Sequence, residues 1–229
     1  MATCRHDYSP SQTVTIKPQP FDRAKHVYKN DEFVELVKDA VRFFNGTPVR
    51  ELPPTASFTG TGVYALYYTG KKGVYAKYGE LNRTAYLYPI YVGKAVPKGW
   101  RQARTSDGSN ANAKELFSRL NEHSRGITLA TGIELKDFMC RFMIFEADAS
   151  DMIGSIEAAL IKLNRPLWNT SLDGFGNHTP GNGRFEQAKS DWDVIHPGRT
   201  WADKCKGTPK ELKTVKGNIT RHLNLLDKK

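Results

Sequence analysis

At 229 residues and 39% apolar content, the chain suits one large domain, or one domain with appendages, and can bury a sizeable core. Its 34 Lys and Arg outnumber 24 Asp and Glu, a net charge of +10 with a pI near 9.5, which directs attention to polyanionic partners, nucleic acid foremost. No apolar run approaches the roughly 18–20 residues that cross a bilayer, the polar N-terminus lacks a signal-peptide core, and Cys4, Cys140 and Cys205 have no metal-ligand spacing. The expectation is a cytoplasmic protein without a membrane partner, a disulfide framework or a structural zinc.

Residues 1–20, rich in Ser, Thr, Pro and Gln, read as a flexible segment. A helical extension follows within 21–59: Phe33, Leu36, Val37, Ala40, Val41 and Phe44 recur at helical spacing, Asn30 opens the run, Asp31 and Glu32 occupy its first turn, and Gly46 closes it. A turn-rich stretch then leads to Pro53-Pro54. Gly62 to Tyr68 is β-branched, aromatic or small and reads as a strand, and Pro89 to Lys94 as a second. Between them, residues 70–88 form an insert of Lys, Gly and Tyr that reads as a long hairpin excursion.

The Gly/Ser/Arg stretch 96–110 is too long for a simple connection. A second helix is expected from Ala113 to Ser124 with Asn112 as N-cap and Glu115 three residues on, a third strand from Cys140 to Glu146, and a third helix from Asp151 to Asn164 stopped by Pro166. Residues 171–229 hold a Gly/Asn loop that reads as a flexible, nucleic-acid-approaching loop or merely a connection, then a basic C-terminal extension with a short Trp-containing segment and a lysine-rich tail, helical between Pro209 and Leu226. The predicted class is α+β, a small, mainly antiparallel sheet flanked by helices.

The residues able to carry chemistry are few. Gly62-Val63-Tyr64 and Tyr91-Val92-Gly93 are ordinary strand fragments when taken alone. Arg119 and His123, four apart on one helix, share a face, which also describes a solvated polar stripe. Glu157 stands in an apolar helix beside Ala158-Ala159-Leu160-Ile161, where a carboxylate costs several kcal/mol to desolvate unless a cation joins it; a metal ion or an arginine is the natural partner, and a helix-edge glutamate reaching water is the plain alternative. Asn169, past the Pro166 stop, reads as a turn or cap residue.

Taken in order, Gly-Val-Tyr, Tyr-Val-Gly-Lys, the Arg119/His123 helix, Glu157 in Glu-Ala-Ala-Leu-Ile, and Asn169 resemble the GIY-YIG nuclease superfamily over residues 60–170. Within it, the chain is similar to small type II restriction endonucleases that cut the palindrome CCGCGG. That similarity rests on the Asn164–Asn169 run, the Asp173-Gly-Phe-Gly-Asn-His-Thr-Pro-Gly loop and the Ser190-Asp-Trp-Asp-Val-Ile-His-Pro-Gly segment. There are two departures. Valine stands for the central isoleucine of both tripeptides, and the two tyrosines are 27 positions apart, so residues 69–88 are an insertion.

The resemblance implies hydrolysis of a DNA phosphodiester. Glu157 would bind one Mg²⁺ or Mn²⁺, and Tyr64 would activate water with help from His123 or from Lys94, the proton going to either Tyr64 or His123. Arg119 would neutralise the phosphate, and Tyr91 and Asn169 would position the phosphate or the base by hydrogen bonding. For double-stranded DNA, the basic strip of Lys94, Lys98, Arg101, Arg104 and Arg125 supplies a phosphate track, with Arg101, Arg104 and Arg184 as candidate base readers. A palindromic target implies a homodimer. Two other readings stay open: a homing or repair-type nuclease, and a non-catalytic basic DNA-binding protein.

Overall fold

A computed structural model describes residues 20–97, 99–100, 113–179 and 185–226. The flexible segment expected at the N-terminus, the Asn112 cap, and Lys98, Arg101, Arg104 and Arg184 lie outside these residues. Helix α1 spans Asp31–Gly46, and the Asn30 side chain accepts from the Phe33 amide, as the sequence implies. Strand β1 (Val49–Glu51), in the stretch read as turns, pairs antiparallel with the later strand β4 (Phe138–Phe145).

Strand β2 (Thr61–Tyr68) lies at the centre, between β4 and β3 (Tyr91–Ala95), in a sheet of order β1-β4-β2-β3 whose pairs are all antiparallel. Every residue of β2 is buried, because both faces of the sheet are covered. Tyr64, Leu66 and Tyr68 pack on one face against helix α3 (Glu115–Leu129) and the helices that follow α4 (Ile153–Asn164): α5 (Leu167–Thr170), α6 (Asp191–Ile195) and α7 (Leu212–Leu226). Val63, Ala65 and Tyr67 pack on the other against α1 and α4. The alternation follows from the two-residue period of a strand. Helix α3 begins two residues later than expected, after Lys114, and runs five further.

The insert 70–88 is not a hairpin excursion. It folds as a 3₁₀ turn (Gly73–Tyr75) running into helix α2 (Ala76–Leu81). Asn82 closes its neck, donating to the Tyr68 and Tyr88 carbonyls and accepting from the Tyr88 amide, so that Ile90 still donates to Leu66 and the β2–β3 ladder is intact. Two tyrosines of the insert enter the core and meet histidines from far along the chain: Tyr75 Oη donates to His196 Nε2 at 2.7 Å, and Tyr78 Oη lies 3.1 Å from His222 Nε2. The insert and the C-terminal segment therefore support each other.

His196 carries its proton on Nδ1, which donates to the Thr131 carbonyl at 2.9 Å. Burial holds its pKa down at about 4 against an ordinary 6.5. A histidine whose folded value is depressed stabilises the fold above 6.5 and loses that contribution as pH falls toward the folded value, because only the unfolded chain takes up the proton easily. The midpoint of thermal unfolding is therefore expected to fall between pH 6.5 and 4. His196→Gln should remove about 3 kcal/mol of that pH dependence, read as a shallower slope in melts followed by circular dichroism across this range.

Candidate active site

The glycines of the two tripeptides are steric necessities. Tyr64 lies opposite Gly93 across the β2–β3 ladder, and a Cβ at Gly93 would collide with the Tyr64 hydroxyl. A Cβ at Gly62 would strike the Met143 carbonyl of β4 in the same way. Tyr64 thus lies flat over β3, 6.2 Å from the Tyr91 ring, with both tyrosines on one face of the sheet. The valine at each centre faces the other side, into the core formed with α1 and α4, where an aliphatic exchange is readily absorbed.

His123 reaches the tyrosines from α3. Its Nε2 is 2.6 Å from Tyr64 Oη, and it is 4% exposed, so the helix face it shares with Arg119 is not a solvated stripe. Burial and the Arg119 cation hold the His123 pKa far below 6.5. Burial also pushes the Tyr64 hydroxyl well above 10, with Tyr91 adding to the rise and Arg119 opposing it. Both groups are therefore neutral at neutral pH; with the His123 ring proton on Nδ1, the hydrogen bond runs from Tyr64 Oη to His123 Nε2.

Glu157, on α4, takes Lys94 of β3 as its partner, Nζ to Oε2 at 2.6 Å, with both side chains half-buried. The cation expected beside this carboxylate is a lysine rather than an arginine, and Lys94 is committed to it rather than to the Tyr64 phenol. Trp100 lies under the Lys94 ammonium, 5.9 Å away, and close to Gly154 of α4, an anchoring contact. Asn169 spends both ends of its amide on the open edge of β3: Oδ1 accepts from the Val92 amide and Nδ2 donates to the Val92 carbonyl, both at 2.8 Å. These bonds hold Tyr91's strand in place and seal a sheet edge.

Tyr64, Tyr91, Lys94, Arg119 and Glu157 all line one cleft of about 860 Å³ at the outer edge of β3. It draws on both faces of the sheet, Tyr64 and Arg119 from one side and Lys94 and Glu157 from the other. Arg119 donates to Glu122 at 2.9 Å and, through Nη2, to the Gly176 carbonyl at 3.0 Å. Burial opposes its charge, and the Tyr64 and Tyr91 hydroxyls with the Glu122 carboxylate outweigh that and raise its pKa. Arg125 lies in a second hollow beyond Arg119; Lys98, Arg101 and Arg104 of the expected strip lie outside the described residues.

Sequence reasoning passed over the residues that organise this second hollow. Arg199, 7% exposed, pairs with Asp193 at 2.7 Å and donates to the carbonyls of Gly174, Phe175 and Asn177. Its guanidinium lies over the Trp192 and Trp201 rings. The loop it fastens stacks Phe175 on His123, ring centroids 4.5 Å apart, and presents Gly176 and His178 to Arg119. The loop's glycines let the main chain come close to its neighbours: a Cβ at Gly176 would stand 2.6 Å from the Tyr91 hydroxyl, and one at Gly174 would strike the Ser190 side chain. Arg199→Met leaves the Asp193 carboxylate buried without its ion and is expected to cost about 3–5 kcal/mol, lowering the melting midpoint by roughly 10 °C. An unchanged melt would remove this ion pair from the support of the site.

Tyr64, backed by His123, thus meets Arg119 and Glu157 at one polar cleft on the edge of the β2–β3 pair. A family model described as the Eco29kI GIY-YIG domain matches residues 56–223. The chain belongs to this family. As a GIY-YIG protein it is a nuclease acting on DNA, with an α+β fold of antiparallel sheet and flanking helices. The match continues past the Asn169 region to include the 173–179 loop, Arg199 and most of α7. No curated protein matches the chain significantly. No helix among the described residues is long and apolar enough to cross a membrane.

Proposed function

We propose that the protein is a type II restriction endonuclease that hydrolyses both strands of double-stranded DNA at a short GC-rich palindrome, CCGCGG, acting as a homodimer and requiring Mg²⁺ or Mn²⁺. The observation that carries the chemistry is the 2.6 Å contact of Tyr64 Oη with His123 Nε2, behind a cleft that Tyr64 lines together with Arg119 and Glu157. A phenol is a poor base at neutral pH, and burial makes Tyr64 poorer. The pair resolves this. As the attacking water gives its proton to Tyr64 Oη, Tyr64 gives its own to His123 Nε2, and no free phenolate has to form. The depressed His123 pKa keeps the acceptor neutral.

Arg119 is placed to hold the phosphate with its planar donor fork, and its raised pKa secures its charge. The Tyr91 hydroxyl, on the same cleft, orients a phosphate oxygen. Glu157 supplies a hard oxygen donor in an open polar cleft, suited to a largely hydrated divalent ion that completes its shell on a phosphate. Among the described residues no group of three or more His, Cys, Asp or Glu forms a metal cage, and Lys94 would release Glu157 on loading. Once bound, the ion supplies charge neutralisation at the phosphate. The specificity and the dimer rest on the resemblance of the Asn164–Asn169, Asp173 and Ser190 strings.

Plasmid DNA incubated with the protein and Mg²⁺, with and without EDTA, tests the reading. Discrete fragments that appear only with metal and whose ends map to CCGCGG are the expected result. Nicking confined to damaged or branched DNA would replace it with a repair role, and intact but shifted DNA would end the nuclease assignment.

A further inference from the structure

The Arg119 guanidinium has an acceptor that none of the site roles above uses. His178 Nε2 takes a hydrogen bond from Arg119 Nη1. Arginine can only donate, so Nε2 carries the lone pair and the ring proton sits on Nδ1. His178 lines both the 860 Å³ cleft and the adjoining 250 Å³ hollow, as do Arg119 and Glu122. The His178–Arg119 contact is therefore the partition between the two. A polynucleotide backbone passing from one to the other must cross it.

The ring does not arrive there by chance of a loose loop. Two residues earlier, Gly176 is fixed to the same guanidinium through its carbonyl, and the main chain on either side is held by Arg199. The charges facing His178 are the Arg119 and Arg199 cations and the Glu122 carboxylate. Burial and Arg119 keep its pKa below 6.5, consistent with a neutral ring accepting from a guanidinium.

Resting on the nuclease reading above, we propose that His178 is a further catalytic residue. In the free enzyme it occupies the edge of Arg119 where the scissile phosphate will bind; when DNA enters, the phosphate replaces it as acceptor, and the displaced imidazole turns its Nδ1–H to a non-bridging phosphate oxygen. The exchange keeps the Arg119 donors satisfied before and after binding, and gives the phosphate a further donor, beside Arg119 and Tyr91, just as charge grows on it. No bond other than hydrogen bonds changes at His178.

Single-turnover cleavage of a plasmid by wild type, His178→Ala and His178→Gln, with Mg²⁺, tests this alongside DNA binding in EDTA and thermal melting. Alanine should cleave about 100-fold more slowly, the usual loss for one donor aimed at developing charge, with the melt and the metal-free affinity little changed because other phosphate contacts carry binding. Glutamine, whose amide can accept from Arg119 and donate to phosphate, should recover to within about tenfold of wild type. Equal rates for wild type and alanine overturn the role of His178 alone, as does glutamine no better than alanine. Absence of wild-type cleavage overturns the nuclease reading together with it.

Discussion

Tyr64→Phe is expected to slow single-turnover DNA cleavage by about 10³-fold, within the usual contribution of a positioned proton acceptor, while leaving the fold in place. The ring that fills the space over Gly93 is retained, and only the hydroxyl is lost. His123 Nε2 then lacks its donor in a buried setting, a cost of about 1–3 kcal/mol that a chain of this size tolerates. His123→Gln should lose a comparable factor by removing the end of the relay. The double variant should be little worse than either single one, since residues that act as a unit fail together.

The pH dependence separates this relay from a solvent-exposed histidine base. His123 must be neutral to accept a proton, and its pKa lies well below 6.5. The rate should therefore hold steady as pH falls from 8 to 6.5, where an unperturbed histidine would already be half protonated. An undiminished rate in Tyr64→Phe, or an acid limb centred at pH 6.5 that vanishes in His123→Gln, would contradict the pairing as the source of water activation.

Glu157→Gln is expected to be at least as damaging. The carboxamide keeps the shape but offers no charge to a divalent ion, so cleavage at saturating DNA should fall by about 10³-fold or more. Duplex binding in EDTA should persist, because it draws on the +10 chain's cations rather than on this residue. The variant frees Lys94 from its 2.6 Å contact, and the local structure should survive because both partners are half-buried and reach water. Raising the Mg²⁺ or Mn²⁺ concentration from a limiting level should speed cleavage by the wild type but not by the variant. Cleavage by Glu157→Gln with an unchanged metal dependence would move the metal site elsewhere.

Much of the fold was legible because its determinants are local. The Asn30 cap and the spacing from Phe33 to Phe44 specify α1, and the unbroken apolar run through Tyr68 specifies a strand buried on both faces. The in-order motifs were enough to bring Tyr64, Tyr91, Arg119 and Glu157 to one cleft. What escaped was non-local. Residues 70–88 show no clean period, and they fold because Tyr75 and Tyr78 find His196 and His222, 121 and 144 positions away. Glu157's choice of Lys94 over an arginine depended on which face of β3 meets α4, a tertiary matter. Asn169 shows an amide whose two ends fit a strand edge, which no turn propensity reveals. Arg199 and His178 stand in segments whose composition suggests connection, and the buried ion pair beneath the loop gives them their place.

That one cleft brings the Tyr64 hydroxyl, the Arg119 guanidinium and the Glu157 carboxylate to a single phosphate is tested most directly by anomalous scattering from Mn²⁺ in crystals of the protein with an uncleaved CCGCGG duplex. One peak per protomer is predicted, within about 2.2 Å of a Glu157 oxygen and beside the phosphate that Arg119 contacts. Manganese bound away from Glu157, or DNA lying elsewhere on the surface with the cleft empty of phosphate, would contradict it.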